Sequence, residues 1–116
     1  MVVEDEPDIR DIVATSLAIE GFRVLTAADS SDALEQLGAH PEVDLLFTDI
    51  IMPGDLHGYD LAREARQLCP SIKLLYTSGC NVTDVLETSA AETGRLVKKP
   101  YRLEQLLREI RATLAD

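Results

Sequence analysis

The chain alternates short apolar runs with stretches in which apolar residues recur every three or four positions, and this alternation sets the expected elements. Met1-Val2-Val3 reads as a strand running into acids, followed by an amphipathic helix over residues 7–20, with Pro7 in its first turn, Ile9, Ile12, Val13 and Leu17 inward, and Gly21 ending it. Phe22 to Ala27 is a second, less buried strand. Ser30 or Ser31 caps a helix that turns Ala33, Leu34 and Leu37 inward until Gly38 stops it. Val43 to Phe47, interrupted only by Asp44, has the near-continuous hydrophobicity of a strand covered on both faces. It ends on an acid, Asp49, after which Met52-Pro53-Gly54 turns the chain away.

The second half repeats the alternation. A helix from Gly58 to Cys69 carries Leu61, Ala62, Ala65 and Leu68 inward and is closed by Pro70. Ile72 to Thr77 is a fourth strand, leaving through Thr77-Ser78-Gly79. Val82, Val85, Leu86 and Ala90 give the next helix only a thin apolar stripe. Arg95 to Lys98 forms a fifth strand, and a last helix presents Leu103, Leu106, Leu107, Ile110 and Leu114 to the core. Five strands alternating with five helices predict an α/β fold: a parallel sheet covered on both faces, joined by right-handed crossovers. With strand order 2-1-3-4-5, a doubly wound flavodoxin-like arrangement, the ends of strands 1 and 3 meet at the switch point.

Composition narrows the function classes. A chain of 116 residues, 46% hydrophobic, is expected to be one domain with a real core. Lys and Arg number 11 against 21 Asp and Glu, and a formal charge of −10 repels phosphate backbones and anionic lipid surfaces. Direct nucleic-acid binding and membrane contact are therefore disfavoured. Cys69 and Cys80 lack metal-site spacing, and no secretory signal or membrane-length apolar run is present, which fits a reducing cytoplasm.

Taken alone, an Asp after a strand is more often a turn or cap residue than a nucleophile. The predicted topology changes its company. Glu4 and Asp5 after strand 1 and Asp49 after strand 3 would cluster too closely to stay ionised without a cation, and Mg2+, a hard ion that keeps waters for a phosphate to replace, suits them. Strand 4 adds the hydroxyls of Thr77 and Ser78, and strand 5 adds Lys99. A carboxylate nucleophile, a divalent cation, a hydroxyl and an ammonium group are the requirements of in-line phosphoryl transfer to an aspartate. In that reading Asp49 attacks phosphorus, Mg2+ sits on Asp5, Asp49 and the Ile51 carbonyl, and Ser78 and Lys99 take the remaining charge.

These residues resemble the receiver domain of a two-component response regulator along essentially the whole chain. The resemblance rests on Glu4-Asp5, on Thr48-Asp49 with Met52-Pro53, on Thr77-Ser78-Gly79 and on Lys99-Pro100-Tyr101. It implies that Asp49 accepts phosphate from a phosphohistidine on a sensor histidine kinase or histidine phosphotransfer protein. It also implies that Asp5 and Asp49 hold Mg2+, that Glu4 acts through water, that Ser78 is the switch hydroxyl and that Lys99 binds the phosphoryl group. Such a domain is a switch, catalysing only its own phosphorylation and dephosphorylation. Its signalling surface for partners or dimerisation would be the predicted fourth helix, the fifth strand and the last helix. The stretch from Phe47 to Asp60 further resembles receivers fused to hybrid histidine kinases.

The chain departs from the family pattern in three places. Leu96 stands where receivers often carry an aromatic three residues before the lysine, the loop from Pro53 to Gly58 is one residue longer than the common form, and strand 1 has only Met1 to Val3. The last feature is the expectation of a chain trimmed at the start of strand 1. Ile51 and Cys80, two residues beyond the acceptor and the hydroxyl, cannot readily orient an attacking water, so slow self-dephosphorylation is expected. Blander roles go to other residues: Lys98 to the surface, Glu6 and Asp8 to the helix start, His40 and His57 to solvent, Tyr101 to packing. An aspartyl-phosphate phosphatase is the poorer reading, because the second acid such enzymes use is replaced by Ile51. A receiver fold that binds partners without phosphate is the alternative.

Overall fold

The computed structural model describes residues 1–50, 58–79 and 94–116. Five parallel strands, β1 (Val2–Val3), β2 (Thr26–Ala27), β3 (Leu45–Asp49), β4 (Lys73–Ser78) and β5 (Arg95–Lys98), form one sheet in the order β2-β1-β3-β4-β5. Among the described residues four helices cover it: α1 (Pro7–Ile19), α2 (Ser30–Ala39), α3 (Gly58–Leu68) and α4 (Leu103–Ala115). The helix expected around Val82 to Ala90 lies outside the described residues.

Side chains alternate across the pleat, which divides the core into two apolar layers. Val3, Leu46, Leu74 and Tyr76 face one way and pack with Ala33 and Leu37 of α2 and Leu61, Ala62 and Ala65 of α3. Val2, Phe47, Leu75 and Val97 face the other way, with Val13 and Leu17 of α1 and Leu106 and Ile110 of α4. β3 is buried along its whole length, as its unbroken hydrophobicity requires.

Several boundaries move from the sequence expectation. β3 and β4 each extend to the polar residues that were expected at their exits, Asp49 and Ser78, because ladder pairing runs on past the apolar positions. β2 shrinks from six residues to Thr26–Ala27, matching the two residues of β1 beside it. The cap of α2 is Asp29, whose carboxylate accepts from the Asp32 amide at 2.8 Å, and Ser30 is already helical. Gly38 does not stop α2, which runs to Ala39. Ile9 and Ile12 of α1, expected inward, are exposed at 41% and 57%, because only Val13 and Leu17 reach the layer shared with α4. Leu68, Leu103 and Leu114 also stand exposed at the helix ends.

Candidate functional site

The register of the sheet places one row of side chains along its carboxyl edge. Val3 pairs with Thr48, so Glu4 follows at the level of Asp49; Asp49 pairs with Thr77, and Thr77 with Val97. Partners in a parallel register point to the same face, and the row belongs to the α1 and α4 side. Two residues beyond Val97, Lys99 reaches back across the end of β4, and its Nζ lies 2.9 Å from Asp49 Oδ1. Glu4, Asp5 and Asp49 each offer a carboxylate oxygen within 4.8 Å of the others. Glu4 and Asp49 are buried, Asp5 is exposed.

Local structure holds each group. The amide of Glu6 donates to Glu4 Oε1 at 3.2 Å, and Arg10 Nη1 of α1 donates to the Glu4 carbonyl at 2.9 Å, tying the turn after β1 to the helix. The Ile50 amide donates to the Thr77 carbonyl and the Lys99 amide to the Ser78 carbonyl, at 3.0 and 2.7 Å, which carries β3 and β5 one residue past the ladder. The Lys99-Pro100 peptide bond is cis. Tyr101 then packs edge-on against Phe47, with ring centroids 6.0 Å apart.

The electrostatics follow from this crowding. Burial, then the Asp49 charge, pushes the Glu4 carboxyl up from 4.5 to about 7. Burial also raises Asp49, against the opposing pull of Lys99. For Lys99, burial alone would favour the neutral amine, but the hydrogen bond and charge of Asp49 outweigh it and the ammonium is stabilised. Burial and the two acids push the Tyr101 phenol up to about 12. Three clustered carboxylates, two of them driven toward protonation chiefly by burial, fit a hard divalent cation bound through oxygen. A cavity of about 480 Å³ opens at the opposite edge, near Met1, Phe22, Val24, Val43 and Leu45, and none of the candidate site residues lines it.

Of the residues singled out from sequence, the fold brings together Glu4, Asp5, Asp49 and Lys99. Ser78 is buried as the last residue of β4, beside them but with its side chain on the other face of the pleat from Thr77. The Ile51 carbonyl, His57 and Cys80 lie outside the described residues, as does half of the stretch from Phe47 to Asp60. Lys98 is exposed, and His40 sits at the surface 3.2 Å from Glu42. Cys69 is a free, buried thiol. Leu96 is partly buried against the α2 and α3 layer and pairs with Tyr76.

One residue escaped the sequence reading. A Cβ on Gly58 would lie 1.9 Å from the Asp49 carbonyl oxygen and 3.0 Å from Ile50 Cα. The first residue of α3 thus presses against the backbone of the acid, and the Gly58 amide donates to the Ile50 carbonyl. The only sequence signal was a glycine at a helix start, which has many commoner explanations.

Comparison with known proteins agrees with this architecture. The family model for the response regulator receiver domain matches residues 1–111. The response regulator receiver protein CpdR of Brucella abortus is 30% identical over 115 residues, covering 98% of this chain and 94% of that protein. The response regulator SaeR of Staphylococcus aureus is 30% identical over 111 residues, but the chain spans only 47% of its length. Among solved structures, the receiver domain of NtrX from Brucella abortus superposes with a TM-score of 0.86 at 32% identity, covering 98% of this chain and 96% of that one. A receiver domain protein from Clostridium thermocellum gives 0.87 at 27% identity, over 98% and 91%.

Proposed function

The chain belongs to the response regulator receiver family, the phosphoacceptor domains of two-component signalling, and from that premise we propose that Asp49 is its acceptor. The observation that carries the proposal is the 2.9 Å contact of Lys99 Nζ with Asp49 Oδ1 inside the Glu4, Asp5 and Asp49 cluster. Receivers are not conventional enzymes, and this one would catalyse only its own phosphorylation and dephosphorylation.

In the proposed step a carboxylate oxygen of Asp49 forms a bond to phosphorus. The bond from phosphorus to the donor nitrogen breaks with its electron pair on nitrogen, and the imidazole takes up a proton. No base is needed, because the Lys99 ammonium favours ionised Asp49. As the phosphoryl group arrives, Lys99 follows the negative charge onto its oxygens, and the Ser78 hydroxyl donates to another. Receivers bind Mg2+ at an acidic pocket; here Asp5 and Asp49 would hold it directly, with the Ile51 carbonyl, and Glu4 through water. When bound, the ion supplies charge neutralisation at phosphorus.

The donor is a phosphohistidine on a sensor histidine kinase or histidine phosphotransfer protein, which places the domain in the cytoplasm beside it. Among the described residues no helix is long and apolar enough to cross a membrane. A net charge of −10 argues against a nucleic-acid partner for this domain itself. Phosphorylation would alter the surface of the helix expected around Val82 to Ala90, β5 and α4, changing partner or dimer preference.

The test is intact mass after incubation with Mg2+ and acetyl phosphate. Wild type is expected to gain one phosphoryl group and Asp49→Asn none; a folded wild type that gains nothing would leave the phosphate-independent interaction module as the better reading.

A further inference from the structure

Asp5 differs from the two acids beside it in having no packing to aim its side chain. Glu4 and Asp49 are buried, whereas Asp5 is exposed in the turn between β1 and α1. The direction of its carboxylate therefore depends on the peptide groups on either side of its Cα. A peptide group is planar, so holding its N–H or its C=O fixes the whole unit. In the unit joining Asp5 to Glu6, the Glu6 amide donates to Glu4 Oε1 at 3.2 Å. In the unit joining Glu4 to Asp5, the Glu4 carbonyl accepts from Arg10 Nη1 at 2.9 Å. Side chains thus pin both planes, and one of the two, Arg10, comes from outside the cluster.

The start of α1 gives Arg10 this task. Pro7 opens the helix and Glu6, at its cap, makes no side-chain capping bond, so the turn is not closed by the usual device. The Arg10 amide donates to the Glu6 carbonyl at 2.9 Å, which sets the arginine's own backbone against the turn. Its half-buried side chain then runs back along the helix to the carbonyl of Glu4. Of the two pins the Glu4 carboxylate is the less independent, because it faces Asp49 and belongs to the cation site itself. The guanidinium is a permanently charged, planar donor, and its bond to a carbonyl does not depend on what the acids hold.

We propose that Arg10 is a positioning residue for the cation, its guanidinium holding the peptide between Glu4 and Asp5 so that the Asp5 carboxylate stays turned toward Asp49. The inference rests on the reading that Asp5 and Asp49 hold Mg2+. Charge and positioning here have opposite signs. A guanidinium this close to the acids repels a cation, so by charge alone its removal would tighten Mg2+ binding. As a clamp on the turn, its removal loosens the site and weakens binding.

The experiment titrates the full chain with Mg2+ at constant ionic strength, following backbone amide signals by NMR, for wild type, Arg10→Met and Arg10→Lys. Arg10→Met is expected to bind Mg2+ about tenfold more weakly, the equivalent of ~1.4 kcal/mol, and to need about tenfold more Mg2+ for half-maximal phosphorylation by acetyl phosphate. Arg10→Lys, which keeps a charged donor of similar reach, should restore most of both. In the metal-free state the amide signals that Arg10→Met displaces should be confined to the turn and the first helical turn; displacement throughout β1 and α1 would mean that the arginine merely holds the fold, and would overturn the inference. Arg10→Gln, too short to reach the carbonyl, provides the same comparison should the methionine variant misfold. A folded variant with unchanged or tighter Mg2+ binding would overturn the inference and leave Asp49 as acceptor untouched. A wild type that takes up neither Mg2+ nor phosphate would overturn both.

Discussion

The middle of the sheet and its carboxyl edge are built from adjoining residues of the same strands under opposite rules. In the middle, Leu46, Leu75 and Tyr76 are wholly buried apolar or aromatic side chains with helices on either side. One to three residues on, the same strands end in Asp49, Thr77 and Ser78, buried too, with like charges crowded around the first and no partner among the described residues for the hydroxyl of the second. The first region supplies the stability that the second consumes. Burial is the common condition, and chemistry decides its sign: apolar area removed from water is favourable, while an uncompensated carboxylate there is not.

Truncation in the two regions should therefore shift stability in opposite directions. Leu75→Ala, in the middle of β4, is expected to lose ~2–5 kcal/mol in urea unfolding, from lost burial and the cavity left behind. A loss near zero would mean that the layer against α1 and α4 is not close-packed. Gly58→Ala tests the seam between the regions, because the added methyl meets the Asp49 carbonyl and Ile50 Cα, both backbone atoms unable to step aside. About 3 kcal/mol of destabilisation is expected, with slowed phosphorylation in whatever remains folded.

Glu4→Gln should act the other way. The amide keeps the contact with the Glu6 amide and removes a buried charge facing Asp49, so the metal-free protein should gain ~1–2 kcal/mol near neutral pH. Its pH dependence sharpens the point. A carboxyl raised from 4.5 to about 7 by folding favours the native state while protonated, so that contribution is fully present below pH 4.5 and lost as pH rises through 7. Thermal melts of metal-free wild type should decline across that window, those of Glu4→Gln should be flatter, and Mg2+ should raise the wild type more than the variant at pH 7.5. Parallel melts for the two proteins would break the contrast between middle and edge.

The same contrast explains what was legible in the sequence. The apolar runs of β3 and β4 and the spaced residues of α2 and α3 announced themselves because a buried layer leaves a periodic trace, and the strand order followed from alternation and length. The acids and Lys99 were legible as residue types at strand ends, since topology alone carries strand ends to one crevice. The outward turn of Ile9 and Ile12 was not, because it depends on which stripe of α1 reaches α4. Nor was Gly58, whose meaning lies in how closely the start of α3 approaches the Asp49 backbone, or the row that sets Thr77 beside Asp49, since a shift of one residue in register exchanges the two faces.

The most direct test of the central claim is to locate the phosphoryl group itself. Protein phosphorylated with acetyl phosphate and Mg2+ would be reduced with borohydride, which converts an aspartyl phosphate to homoserine, and its peptides sequenced by mass spectrometry. Homoserine at position 49, and at no other acid of the cluster, is the predicted result. Homoserine at position 5, or phosphate retained through reduction on a hydroxyl such as that of Thr77 or Ser78, would contradict the account.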